Sequence, residues 1–375
     1  MKILIVRTYP DVLDITKYNV QEIGMAKALL RAGHEVGIVL YNGKERDCTE
    51  AIPILCDGIE KYIVIYHLHG FGLLKNGFFP SLKKIAKSYD VLQVHEYDQI
   101  TSWLYYAWNK KKKIVLYHGP YYHSFNKGYN FKCKIFDLLF LKIKHNKNVT
   151  CLTKSHAAAE FLRSKGFRNV TAVGVGLDTD NFTSKNLSKD NAIKIDEKKF
   201  NLVYVGKIEE RRNSMFLLDV IKQVTDNNPK VHCIIVGNGE KEYKEMFLRK
   251  AKSLISSNCL EYYESASQSQ LADMYKKVQL MVFPSNYDIF GMVLLEAVYF
   301  GLPVISSPNG GADMLIESGI NGEILSDFST ETWAQAILEL VREREKCNKY
   351  KENNLKKKDK LTWDGIVEKC DVYRC

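Results

Sequence analysis

Nowhere in this chain of 375 residues does an apolar run approach the roughly 18 residues that a membrane-crossing helix needs. Helical membrane spans are therefore not expected. The opening MKILIVRTYP has too short an apolar core for a secretory signal and reads as a first buried strand, so residence in the cytoplasm is expected. The nine cysteines are scattered, odd in number and form no C-x-x-C pair. Neither a disulfide framework nor a zinc site follows from them, and they read as small buried residues. Arginine is missing from the whole of 75–148, although lysine is abundant there.

Those lysines carry the charge of the chain. Fourteen of them lie in 75–148 against four acids (Asp90, Glu96, Asp98, Asp137), an excess as large as the net +10 of the entire sequence. Here Phe131, Ile135, Phe136, Leu138, Leu139, Phe140 and Leu141 are interleaved with Lys132, Lys134, Lys142 and Lys144. One reading is a basic amphipathic helix lying on anionic lipid at the inner face of the plasma membrane. The other is a core helix with a solvated lysine edge. Nucleic acid is not expected as a partner, because the stretch lacks arginine and no known nucleic-acid module is present.

The length exceeds the roughly 250 to 300 residues at which one core stops growing, so two domains are expected. Lys2–Val6 reads as a strand, 20–32 has helical spacing ending at Gly33, and Glu35–Tyr41 returns as a strand. This βαβ opening implies a parallel sheet with a ligand crevice at the carboxyl ends of its strands. Further strands are expected at 63–66, 91–94, 114–116 and 149–152. The polar stretch 181–199 reads as a linker. A second α/β domain follows, with strands at 202–205, Val231–Val236 and Leu280–Phe283 and a helix at 271–277. The expected division is 1–180, a linker 181–199, 200–358, and a last helix, 359–375, returning to the first domain.

The most informative stretch is YDIFGMVLLEAVYFGLPVIS, 287–306. Gly291 gives the backbone freedom for a close approach before a helix expected over 292–300. That helix is apolar on every side, and Glu296 is its only charge. An ionised carboxylate in such a setting costs several kcal/mol unless a cation or ligand hydroxyls meet it. The free amides at the helix start suit an anion such as a phosphate, and Glu296 stands roughly 7 Å further along the axis at about 1.5 Å per residue. Phosphate at the tip and a diol at the carboxylate outline a nucleotide. A core helix whose acid is satisfied by a neighbouring lysine or backbone donor is the alternative.

Asp288-x-Phe290-Gly291-x-x-x-x-Glu296, followed by Ala297 and Gly301-Leu302-Pro303-Val304, resembles the E-x-F-G-x-x-x-x-E signature of retaining glycosyltransferases of family 4. Asp288 stands where that family usually has its first Glu, one methylene shorter. Gly206-Lys207 with Arg212-Asn213 resembles the family's phosphate-binding turn. Gly237-Asn238-Gly239 is similar to its G-D-G turn, which lets the backbone approach the nucleotide. YHGP, ending in His118-Gly119-Pro120, resembles the strand-end His-Gly whose histidine approaches the transferred sugar. Many relatives have a paired-glycine loop before the first helix; here Thr16-Lys17 takes its place, and Lys17 either reaches a phosphate by charge or is a solvated surface lysine. Asp178-Thr179-Asp180 looks like a D-x-D metal motif, but this turn recurs in the family as a connection.

The resemblance implies an α/β GT-B fold, two Rossmann-like doubly wound domains facing each other across a cleft. It implies transfer of a sugar from a nucleoside diphosphate donor, UDP before GDP, to a glycan or lipid-linked acceptor in surface-polysaccharide synthesis. The donor is a cosubstrate, and neither a further cofactor nor a metal is expected. In that scheme Gly206, Lys207, Arg212, Gly237, Phe290, Gly291, Met292 and Val293 surround the nucleotide and its diphosphate. Glu296 holds the ribose, while Asp288 and His118 act on the sugar. No nucleophilic carboxylate is evident, so front-face substitution is expected. A nucleotide-sugar epimerase or an inactive binding scaffold of the same fold is the alternative.

Overall fold

The computed structural model describes residues 1–16, 20–109, 111–182 and 193–374; Lys17 and most of the expected linker lie outside them. The chain forms two compact units, Met1–Asp178 with Thr362–Cys375, and Thr179–Leu361.

The first unit is built on a sheet ordered β10-β9-β8-β7-β1-β2-β4-β3. Its strands are β1 (Lys2–Val6), β2 (Glu35–Tyr41), β3 (Cys48–Cys56), β4 (Ile59–Leu68), β7 (Val91–His95), β8 (Lys113–His118), β9 (Thr150–Thr153) and β10 (Val170–Ala172). A separate hairpin pairs β5 (Phe71–Leu73) with β6 (Asn76–Phe78). All neighbours in the main sheet are parallel except β3 and β4. The central strands are buried on both faces, which is why they read as largely apolar runs. Helices α1 (Gln21–Arg31), α2 (Leu82–Ala86), α3 (Ile100–Trp108), α4 (Lys127–Phe136) and α5 (His156–Ser164) connect or cover them. A π turn, Asp137–Leu141, continues α4.

The second unit has six parallel strands ordered β13-β12-β11-β14-β15-β16. They are β11 (Phe200–Val205), β12 (Val231–Val236), β13 (Leu260–Tyr263), β14 (Leu280–Phe283), β15 (Val304–Ser306) and β16 (Gly322–Ile324). Its helices are α6 (Ser214–Asn227), α7 (Lys241–Ser256), α8 (Gln268–Lys277), α9 (Met292–Tyr299), α10 (Ala312–Leu315), α11 (Thr330–Arg342) and α12 (Arg344–Lys356). The strand order reverses at β11, with β12 on one side and β14 on the other. Turns 206–213 and 284–291 leave the carboxyl ends of β11 and β14, the position at which a doubly wound sheet opens its ligand crevice.

The last helix, α13 (Trp363–Lys369), belongs to the first unit. A side chain at Gly24 of α1 would come within 2.4 Å of the Trp363 indole, and one at Gly176 equally close to its backbone. Arg31 bonds the Asp364 carboxylate through two nitrogens, each at 2.7 Å, and Tyr373 bonds Gln93 on β7. Among the described residues no helix is long and apolar enough to cross a membrane, and eight cysteines are free thiols.

Candidate active site

In the second unit the turns after β11 and β14 are tied together by arginines. Arg211 donates to Tyr287 O at 2.5 Å, and Asn286 N returns a bond to Arg211 O at 3.0 Å. Asn213 reaches Pro284 O at 3.0 Å. Arg212 lies 5.2 Å over the Phe283 ring, donates to Ser285 Oγ at 3.3 Å and pairs with the Asp288 carboxylate. The sequence scheme assigned Arg212 to phosphate and Asp288 to sugar; here they bond each other.

Gly291 takes φ 73°, a left-handed conformation natural to glycine, and caps α9. The amides of Leu294 and Leu295 reach back to Gly291 O, whereas among the described residues those of Met292 and Val293 have no acceptor. A Cβ on Gly291 would stand 3.6 Å from Asp288 Oδ2, so Arg212 closes on the start of this helix. Open amides, the positive end of α9 and a guanidinium thus gather at one place, the requirements of an anion site. Lys207 is exposed on the same turn as Arg212, while Phe290 is buried. Glu296, 2% exposed, accepts a bond from Tyr275 Oη at 3.2 Å. The lone acid of this helix therefore has the Tyr275 hydroxyl as a protein partner.

Glycines lock the surrounding turns. A Cβ on Gly237 would fall 1.8 Å from Gly206 O, and one on Gly239 2.0 Å from Ile208 O. What the missing side chains permit here is contact between the turns after β11 and β12, reinforced by Ile208 N to Asn238 O at 3.0 Å. A Cβ on Gly311 would lie 1.5 Å from Phe290 O, so the turn at 309–312 presses directly on the segment before α9.

In the first unit His118 ends β8, fully buried, stacked on Phe161 with ring centres 5.5 Å apart. Its Nδ1 is 2.5 Å from Glu96 Oε2, an ion-pair distance with the approach off the line of a hydrogen bond. Sequence reasoning missed Glu96. It follows β7 directly, sits at φ 59° and accepts a bond from Gly119 N at 3.2 Å. Burial works to raise its pKa, but the close approach of His118, then Lys154 and the Gly119 amide, more than offset this and leave it at about 2. The available signal was position: an acid right after an apolar parallel strand, as His118 is at the end of the next one.

Glu96, Asp98 and His118 have donor atoms within 4.8 Å of one another, the donor types a divalent cation takes. Each carboxylate already has a protein partner nearby, the His118 ring for Glu96 and Lys132, at 2.8 Å, for Asp98. Of the D-x-D look-alike, Asp178 is bonded to Lys27 at 2.8 Å, which ties the end of this unit to α1.

Residues 23–181 match the family model described as Glycosyltransferase Family 4, and residues 186–357 match Glycosyl transferases group 1. Among curated proteins, D-inositol 3-phosphate glycosyltransferase of Corynebacterium jeikeium is 24% identical over 46% of this chain and 43% of its own length. That of Segniliparus rotundus is 22% identical over 44% and 38%. The match thus spans about two fifths of the length of these relatives. Among solved structures, Anabaena HepE in complex with UDP superposes with a TM-score of 0.65 at 16% identity, covering 98% of this chain and 97% of that one. TarM of S. aureus, in complex with fondaparinux, alpha-GlcNAc-glycerol and UDP, gives 0.66 at 12% identity with both chains fully covered. These structures share the GT-B fold with this chain, and by the two family models, which between them take in nearly all of it, the chain belongs to the family 4 glycosyltransferases.

Proposed function

We propose that the protein is a retaining glycosyltransferase that moves a hexosyl group from a nucleoside diphosphate donor to a glycan or lipid-linked acceptor in the synthesis of cell-surface polysaccharide. The observation that carries this reading is the convergence of Arg212 with the open amides of Met292 and Val293 at the start of α9. Such a site holds a diphosphate and stabilises it as it departs, which is electrostatic catalysis by the chain's own groups without a metal. Lys207 adds charge from the same turn, and Gly206, Gly237, Phe290 and Gly291 shape the backbone against the nucleotide. Asp288 exchanges its bond to Arg212 for sugar hydroxyls when the diphosphate takes that arginine. Glu296, held by Tyr275, meets the ribose. In the first unit His118, set by Glu96, orients the transferred sugar.

The bond from the anomeric carbon to the phosphate oxygen breaks, the acceptor oxygen bonds that carbon on the same face, and the acceptor proton passes to the departing diphosphate. UDP is the proposed nucleotide: HepE has been solved with UDP and with UDP-glucose, and TarM with UDP. Residence in the cytoplasm at the inner face of the plasma membrane accords with the lysine-rich stretch 75–148. Calorimetry with UDP, GDP and ADP, followed by donor hydrolysis assays with and without a chelator, tests the reading. UDP binding and chelator-insensitive release of sugar are expected; no binding of any of the three nucleotides overturns it.

A further inference from the structure

The first unit carries a groove of about 870 Å³ bounded by the β5–β6 hairpin, α2 and α3. Its walls are apolar and largely aromatic, with Phe71, Phe78, Leu82, Leu104, Tyr105 and Trp108 among them. Phe71 stacks on Phe78 with ring centres 4.9 Å apart and is still more than half exposed. Leu104 and Trp108 lie one turn apart on α3 and face solvent, while Trp103 and Tyr106 of the same helix go into the core. Lys83, Lys87 and Lys111 stand at the edge, and among the described residues none of them has an acid in ion-pair contact.

This apolar surface continues beyond the groove. Lys144 Nζ sits 5.6 Å over the Trp108 ring, and Phe140 packs on Trp103 at 5.1 Å. The segment that follows the sequence pattern of a basic amphipathic helix divides in two. Phe136 and Cys133 are buried, as in a core helix, but Phe131 and Ile143 are each 67% exposed and Ile135, Leu138 and Leu139 are exposed as well. Lys134 and Lys142 border them. A core role accounts for the first set and leaves the second uncovered.

We propose that this face docks on an anionic lipid bilayer, with acyl chains entering the groove against Phe71, Leu104 and Trp108 and lipid phosphates meeting the lysines at its rim. An aromatic trough edged by cations of one kind matches an amphiphile with an apolar chain and a negative head. Nucleic acid or a phosphorylated protein would favour arginine, which the stretch lacks entirely. The proposal rests on the inner-face residence proposed above and deepens it, and because the face lies in the first unit alone and its test contains no donor, its failure leaves the sugar-transfer reading untouched.

The test is sedimentation of the full chain with vesicles of phosphatidylglycerol and phosphatidylcholine, and with phosphatidylcholine alone, at low and high salt. Tryptophan emission is read against vesicles with brominated acyl chains. Trp103, Trp333 and Trp363 are buried and Trp108 is 53% exposed, so quenching reports on the groove and disappears in Trp108→Phe. Binding to the anionic vesicles with quenching is expected. Lys83→Glu with Lys87→Glu and Lys111→Glu should weaken partition by at least about tenfold. Phe71→Ser with Leu104→Ser should remove the quenching, both sets melting at the native temperature. No sedimentation at low salt overturns the proposal. So does sedimentation without quenching that an oligonucleotide competes away, which would identify a general polyanion site.

Discussion

The Nδ1 atom of His118 lies 2.5 Å from Glu96 Oε2, with both side chains enclosed by protein at the ends of neighbouring strands. A carboxylate so placed favours the proton on Nδ1 and leaves Nε2, buried and without a hydrogen-bond partner among the described residues, as the open nitrogen of the ring. Removing the charge should leave His118 in place but misassign its proton. Glu96→Gln is expected to lower kcat by about 10²-fold, within the range for a group engaged in proton placement, with the donor KM little changed. Steady-state kinetics on the purified variant checks this: an unchanged kcat overturns it, and a fall in kcat with a matching rise in KM points to a merely structural role.

The same pair makes stability depend on acid. Glu96 is held at about 2, and so is Glu22, whose burial works to raise its pKa but is more than offset by its bond to His95 and the charges of His95 and Arg7. Depressed carboxylates stabilise the fold above the ordinary carboxylate value of about 4.5 and lose that contribution as pH falls toward 2. Urea unfolding between pH 7 and pH 3 should therefore show a drop on the order of a few kcal/mol, beginning below about pH 4.5. In Glu96→Gln the slope should be shallower; a stability that is flat down to pH 3 contradicts the assignment.

The turn of glycines in the second unit leads to a prediction of opposite kind, about shape and not charge. A methyl at Gly237 would overlap the Gly206 carbonyl, and both atoms belong to backbone that cannot swing aside. Gly237→Ala should cost about 1–3 kcal/mol by the usual measure of overpacking. It should also weaken UDP binding, since the displaced turn carries Lys207 and leads to Arg212. Chemical denaturation and calorimetry on one preparation would show both effects; an unchanged midpoint removes the packing argument.

Much of this was legible before any coordinates, for a physical reason. Strands buried on both faces, such as β1, β7, β11 and β12, are mostly apolar, and α9 follows a glycine with Glu296 as its only charge. The strand β3 was not legible: it pairs only with β4 at the sheet edge, most of its residues are exposed, and it contains Pro53. β15 and β16 are three residues each, too short to show a period. The 3.6-residue pattern of 131–144 was legible as amphipathic, but which apolar residues turn inward was not, because a π turn at Asp137–Leu141 shifts the face halfway along. Glu96 escaped because its partner is 22 residues away and its role comes from a left-handed backbone at a strand end. Arg212 and Asp288 were each found by motif, and only the fold shows them bonded together.

That bond makes the next prediction directional. If diphosphate competes with Asp288 for Arg212, then Asp288→Asn removes the charged competitor, leaving the arginine with Ser285 and with Glu209 at 3.7 Å, and should leave UDP binding unchanged or tighter while transfer falls. Arg212→Ala should weaken UDP by about tenfold or more, the scale of a lost charge-assisted hydrogen bond of about 1.5–3 kcal/mol. Parallel calorimetry of the two variants separates the roles, and equal losses of affinity in both would mean that the pair acts only to brace the two turns.

The last prediction concerns Glu296 and its neighbour. Tyr275 Oη donates to Glu296 at 3.2 Å, so removing either group leaves the other without that bond, and a purely structural acid should respond to both deletions alike. A single hydrogen bond contributes about 0.5–1.5 kcal/mol net, which sets the stability loss expected of Tyr275→Phe. If Glu296 also meets the donor's ribose, Glu296→Ala should abolish transfer and weaken UDP far more than it weakens the 2′- and 3′-dideoxy analogue, whereas Tyr275→Phe should bind both ligands with little change. The contrast isolates the diol from the core, because both variants disturb the same buried bond and only one removes the carboxylate. Equal affinities of Glu296→Ala and the native chain for UDP would place this acid in the packing of α9 alone.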